Sequence, residues 1–277
     1  MTGALALTLG RLPVTAAMVA VAAAVAVSPG KDQAAILAAV FAAALVSSVA
    51  GFAFSPLCAV LLVFLPAIAE PAQLIALLLV ASITIQSVCL WQLRADIPWR
   101  PIIPFLTGGI PLLPPGLLLA MHAPMEHYRT GLGILLVAYA TWMLAKRPGP
   151  PLRRSSPWQD FIVGAAGGLT GGLAAFPSPP VVAWLCFRGV PKAPARAIIQ
   201  AYIFAMQIAA LGLLHLLAPA HQGAALDGAA LLLVVPPAAL GTLCGLAVYA
   251  RLSDRQYGSA VNLLLLASGL AMLVMSG

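Results

Sequence analysis

Charge is scarce in this chain. Of 277 residues, 8% are charged and 62% are hydrophobic, whereas soluble domains carry about 25% charged residues. No water-soluble domain can hide that much apolar surface. Acidic residues are scarcer still: none of Asp32, Glu70, Asp96, Glu126, Asp160, Asp227 and Asp254 falls firmly in the middle of an apolar run. Cation carriers and proton relays usually keep an intramembrane acid, so its lack weighs against a cationic cargo. There is no HExxH, no GxSxG, no pair of deep aspartates and no Walker sequence, and nothing points to an enzyme or to nucleotide hydrolysis. Cys58, Cys89, Cys186 and Cys244 lack CxxC spacing and read as small core residues, so no metal or other cofactor is implied. The net charge of +7 comes without any nucleic-acid-reading pattern.

Long apolar runs are what the chain does have. They lie at about 12–28, 33–50, 56–68, 71–93, 99–121, 128–146, 159–173, 179–188, 194–217, 226–250 and 256–276. Runs of this length without strict alternation predict an all-α polytopic membrane protein rather than a β-barrel. Residues 56–68 and 179–188 fall clearly below the roughly 17–25 residues of an ordinary span, 159–173 falls narrowly below, and 12–28 sits at the limit. Residues 1–30 have the pattern of a signal peptide, and are read as an extra, retained N-terminal span.

One basic, proline-rich linker, "AKRPGPPLRRSSPWQD" (Ala145 to Asp160), divides the chain almost in half. Sliding the halves by 123 lays "SPLCAVLLVFLPAIAEPAQLI" from Ser55 over "SPPVVAWLCFRGVPKAPARAI" from Ser178. Sliding by 129 aligns Tyr128 with Tyr257. The chain therefore reads as an extra span (1–30), a first repeat (31–146), a basic linker (147–158) and a second repeat (159–277). Each repeat is a broken short-helix pair followed by three long helices. It crosses the membrane three or five times, depending on whether the short pair re-enters or spans. Either count is odd, so tandem copies must be inverted. Twelve Lys and Arg residues fall on one side, among them Arg94, Arg153, Arg154, Arg188 and Arg196; only Lys31 and Arg129 fall on the other. The positive-inside bias places the N-terminus and linker in the cytoplasm and the C-terminus outside.

Both repeats interrupt an apolar segment with Ser-Pro: "GFAFSPL" from Gly51 and "GGLAAFPSPP" from Gly171. Non-helical backbone at membrane depth is tolerated only where protein or a wet cavity satisfies it. Two such breaks at matching places predict a site near the midplane. Ser55 and Ser178 are expected as N-caps, with Pro56 and Pro179 in the first turn. Helix N-termini favour anions. The candidate binding residues are Gly51, Phe52, Phe54, Ser55, Pro56, Phe176, Ser178 and Pro179 at the breaks, with Gln86, Arg196, Gln200 and Gln207 on the long helices. Arg196, Gln200 and Gln207 share one helical face, with Arg196 expected at a cytoplasmic vestibule. Asn262, Thr107 and Ser82 are expected to bond between helices.

The stretches "SSVAGFAFSPL", "GGLTGGLAAFPSPPVVAWL" and "APARA", with the basic linker, resemble the TauE/SafE sulfite exporter family over roughly residues 34–277. The most specific part is the Gly-rich entry to a Pro-Pro segment, Gly167 to Pro180. Here Ala174, Ala175, Phe176 and Ser178 replace the usual glycine-dense stretch, and phenylalanines at both breaks suit a bulkier organic anion. The resemblance implies a secondary transporter that moves sulfite, sulfonates or related organic anions across the bacterial inner membrane. Export of sulfite and import of a sulfonate both fit, as do H+ or Na+ as coupling ion and a homodimeric state. The rival class is a membrane assembly protein in which the breaks only pack.

Overall fold

The computed structural model describes residues 30–50, 53–95, 97–145, 156–217 and 231–249, together with 263, 266, 267 and 269–274. The expected extra span at 12–28 and most of the linker, including Arg153 and Arg154, lie outside the described residues, as do Gly51, Phe52 and Asn262. Among the described residues the regular structure is helical: α1 Lys31–Ala50, α2 Phe54–Leu62, α3 Pro71–Leu93, α4 Trp99–His122, α5 Met125–Ala145, α6 Pro157–Ala174, α7 Ser178–Phe187, α8 Lys192–Leu217 and α9 Val235–Tyr249. A further helical stretch covers 269–274. Among the described residues, four helices are long and apolar enough to cross a membrane: α1, α3, α4 and α8. The chain is an all-α polytopic membrane protein.

Local chemistry sets several helix ends. Pro71 starts α3 behind Glu70, which forms a reciprocal capping box with Gln73. Pro157 starts α6 behind Ser156, boxed with Gln159. In both, proline occupies a position whose N–H would have no intrahelical partner. α2 ends at Leu62 rather than continuing to residue 68 as expected. Pro66 lies just beyond this end, and the Leu65 and Ile68 amides close short turns onto the Leu62 and Leu65 carbonyls. α4 holds Pro104, Pro111, Pro114 and Pro115 in its interior. The Thr107 hydroxyl donates to the Pro104 carbonyl at 3.0 Å; it turns back on its own helix rather than bonding between helices.

The packing partners occur in exchanging pairs. α1 packs on α9 and α6 on α4; α1 meets α2 and α6 meets α7; α2 meets α3 and α7 meets α8; α3 meets α9 and α8 meets α4. α3 and α8 pack on each other. Two of these pairs approach closely enough to require glycine. A Cβ on Gly164 or Gly168 of α6 would enter the backbone of Phe105 or Gly109 on α4. One on Gly241 or Gly245 of α9 would strike the Phe41 or Leu45 carbonyl on α1. Without a hydrophobic drive between helices in lipid, such close backbone contact is a main source of association.

Candidate functional site

The two breaks meet. α2 begins at Phe54, two residues before Pro56, with Ala53 as its cap residue and no side-chain cap bond. Ser55 is therefore inside the first turn and is not the expected N-cap. Its hydroxyl donates across the molecule to the Ala175 carbonyl at 2.7 Å. Ala175 ends α6 in a left-handed conformation, φ 51° and ψ 29°, and is the one non-glycine residue with positive φ among the described residues. The Gln207 amide Nε2 approaches the same carbonyl at 3.5 Å. A hydroxyl from the first break, a carbonyl from the second and an amide from α8 thus share one buried point.

Ser178 is likewise not an N-cap: it is the first residue of α7, behind Pro177, which makes no side-chain cap bond. Its side chain is fully buried, and its Oγ has no partner among the described residues. Pro179 and Pro180 follow and contribute no N–H, so in that first turn Ser178 alone offers an amide. In α2, Phe54 and Ser55 still carry theirs and Pro56 does not. The expected prolines do sit in the first turns, but they thin the donors that a helix N-terminus presents. Recognition of an anion here would fall on few amides, the Ser178 hydroxyl and the dipole of each short helix, because the Ser55 proton is committed to the Ala175 carbonyl.

Depth follows from helix rise. Gln207 lies fifteen residues into α8, about 22 Å from its start at 1.5 Å per residue, in a helix of 26 residues. The Ser55–Ala175–Gln207 point is accordingly near the middle of the span. Phe176 is buried beside it and meets Tyr139 of α5 edge-on, centroids 5.9 Å apart. The Gln207 Oε1 has no protein partner; with Nε2 turned to a carbonyl, the amide orientation is set.

A second polar place lies between α1, α2, α3 and α8. Ser47, Ser48, Phe54, Ile85, Gln86, Cys89 and Gln200 line a cavity of about 10 Å³, room for roughly one water. Gln86 and Gln200 are almost wholly buried, and Gln86 Oε1 and both polar atoms of Gln200 have no protein partner. The Arg196 guanidinium donates through Nη2 to the Ser48 carbonyl at 3.3 Å, at the C-terminal end of α1 where carbonyls lack helical partners. It stands beside this cavity, half-buried. Gln86, Arg196 and Gln200 are thereby gathered at the cavity, and Ser55, Phe176, Ser178, Pro179 and Gln207 at the breaks, with Phe54 between the two groups.

Tyr202 was not among the expected site residues. It is fully buried, and its hydroxyl donates to the Gly164 carbonyl at 2.9 Å. A Cβ on Gly167 would meet both that hydroxyl and the Pro177 carbonyl. Tyr202 thus seats the glycine-rich α6, and through it the second break, against α8. The signal available was the pairing of a tyrosine between Gln200 and Gln207 with a glycine-rich helix elsewhere. Beyond the breaks, the Trp184 indole donates to Asp160 at 2.6 Å, and Arg188 pairs with the same carboxylate at 3.4 Å. This fastens the far end of α7 to the start of α6.

Irregular backbone buried among helices, with hydroxyls and amides turned inward, belongs to polytopic membrane transport proteins. The chain belongs to the sulfite exporter TauE/SafE family, whose model matches residues 36–272. No curated protein and no solved structure matches it.

Proposed function

We propose that this chain is a secondary transporter for a sulfur-containing anion, an organic sulfonate or sulfite, with its site near the midplane between the two broken helices. The observation that carries this reading is the bond from Ser55 of the first break to the Ala175 carbonyl of the second, joined there by Gln207. It supports a shared site, because a packing kink would not need two breaks 120 residues apart to converge on one polar point. Membership of a sulfite exporter family supports the substrate class. Phe54 and Phe176, both buried near the breaks, favour a ligand with an apolar body, and so an organic sulfonate as well as sulfite itself.

The exchanging helix pairs support a two-repeat architecture, 31–146 and 159–277, with each repeat's first helix packed on the other's fourth. The basic residues support a bacterial inner-membrane location with the linker in the cytoplasm. Purified protein in liposomes, given radiolabelled isethionate under an imposed proton or sodium gradient, tests the reading. Saturable uptake that unlabelled sulfite inhibits is expected, and the gradient that drives it names the coupling ion. No flux of either anion above protein-free liposomes would leave an assembly role instead.

A further inference from the structure

The cavity beside Arg196 lies apart from the point where the breaks meet. Cys89 is four residues from the end of α3 and Gln200 eight residues from the start of α8, about 6 and 12 Å from those ends by helix rise. Gln207 lies seven residues further along α8, roughly 10 Å deeper. Two polar places are thus stacked along one helix, one near the middle and one nearer the face that carries Arg196.

The shallower place is chemically unfinished. Gln200 is 1% exposed and Gln86 4% exposed, and three of their polar atoms have no protein partner, although burying amides unsatisfied is costly. Among the described residues no carboxylate lines the cavity. Arg196 stands at its edge, joined to Ser48, and both Arg196 and the Gln200 amide lie against the Cys89 thiol, a weak partner for them. Of the three amide atoms, Gln86 Oε1 and Gln200 Oε1 are acceptors, and Gln200 Nε2 is the donor. A half-turn of either amide presents its N–H groups beside the guanidinium, an arrangement that suits an oxyanion. At about 10 Å³ the cavity is too small for a sulfonate, so occupancy requires widening. The bond from Arg196 to the Ser48 carbonyl links α8 to the end of α1 there.

We infer that this cavity is a second station for the transported oxyanion. Gln86 and Gln200 bind its head there once Arg196 exchanges the Ser48 carbonyl for the anion. The inference rests on the transporter reading and adds a place on the path, between the midplane site and the face from which α8 starts.

Cys89 supplies the test. With Cys58→Ala, Cys186→Ala and Cys244→Ala it is the only thiol left of four. Sulfonatoethyl methanethiosulfonate is itself an organic sulfonate. The Cys89 thiol loses its proton to solvent, its sulfur attacks the thiosulfonate, a mixed disulfide forms and methanesulfinate leaves. In proteoliposomes that transport isethionate, this reagent should modify Cys89 at least tenfold faster than its trimethylammonium counterpart, and isethionate should slow it several-fold. Gln200→Leu should abolish that protection. In the otherwise native chain it should raise the isethionate KM at least fivefold at unchanged melting temperature. Transport with Cys89 unmodified, or modified without protection, or with KM unchanged in Gln200→Leu, removes the cavity from the path and leaves the transporter reading standing. Absence of both transport and protection removes both.

Discussion

α1 and α6 hold corresponding places in the packing, each beside a proline-containing helix and each ending at a break, yet they are built from different residues. α6 is glycine-rich, with Gly164, Gly168 and Gly172 spaced four apart against the backbone of α4. α1 has no glycine. Its close approach to α9 is supplied from the other side, by Gly241 and Gly245, which lie over Phe41, Ala44 and Leu45. Backbone proximity is a property of the pair, and either partner can give up its side chains to achieve it. The conformation at the end of α6 shows the same economy: Ala175 adopts a left-handed backbone that glycine would take without strain.

The largest effects should come from forcing that proximity apart. Gly168→Leu would drive a side chain into the Gly109 backbone, and backbone cannot yield as a flexible side chain can. A loss of several kcal/mol is expected, beyond the roughly 1–3 kcal/mol typical of overpacking, and the purified protein should be aggregated or absent by gel filtration. Gly245→Leu on α9 should behave alike. If it were tolerated while Gly168→Leu was not, the two pairs would not be equivalent.

The outer ends of the short helices give a second contrast. α7 is fastened by Asp160, which accepts from Trp184 and pairs with Arg188. α2 is fastened by Arg129, whose Nε donates to the Val63 carbonyl at 3.0 Å and whose guanidinium lies 5.0 Å from the Phe64 ring. Asp160→Ala leaves a half-buried indole N–H and a cation unpaired, and should lower stability by about 1–3 kcal/mol. Arg129→Ala removes one bond and one ring contact, and should cost about 1 kcal/mol. Thermal melting in detergent ranks them; the reverse order would mean that the carboxylate is not what holds α7.

At the breaks themselves, Ser55→Ala deletes the short bond to Ala175 and should cost about 1 kcal/mol. The smallest effect is expected at Ala175. Ala175→Gly relieves about 1 kcal/mol of left-handed strain, offset in part by the greater freedom of unfolded glycine. A melting temperature equal to or slightly above that of the parent is expected, and a clear drop would show that the Ala175 methyl group packs usefully.

Much of this arrangement could be read before any coordinates. The span 71–93 coincides with α3, and 99–121 with α4 to within a residue, because uninterrupted apolar length is a local property. The breaks were visible through proline and glycine for the same reason. The partners of their polar groups were not. Serine followed by proline signals a helix cap, yet Ser55 joins the helix and bonds a carbonyl 120 residues away. Only the tertiary approach of α2 to the end of α6 could show that. The cavity escaped notice similarly: Ser47, Ser48 and Cys89 are ordinary small residues until α8 brings Gln200 against them. Tyr202 is recognisable only through the glycines that make room for it.

The most direct test of a ligand held between the breaks is calorimetric titration of Ser178→Ala with isethionate. The Ser178 hydroxyl makes no bond among the described residues, so its loss should leave folding and melting unchanged. If it binds the anionic head, affinity should fall about tenfold, the equivalent of roughly 1.4 kcal/mol. Unchanged affinity, in a protein that still transports at the parent rate, would place the ligand elsewhere and leave the breaks as packing features.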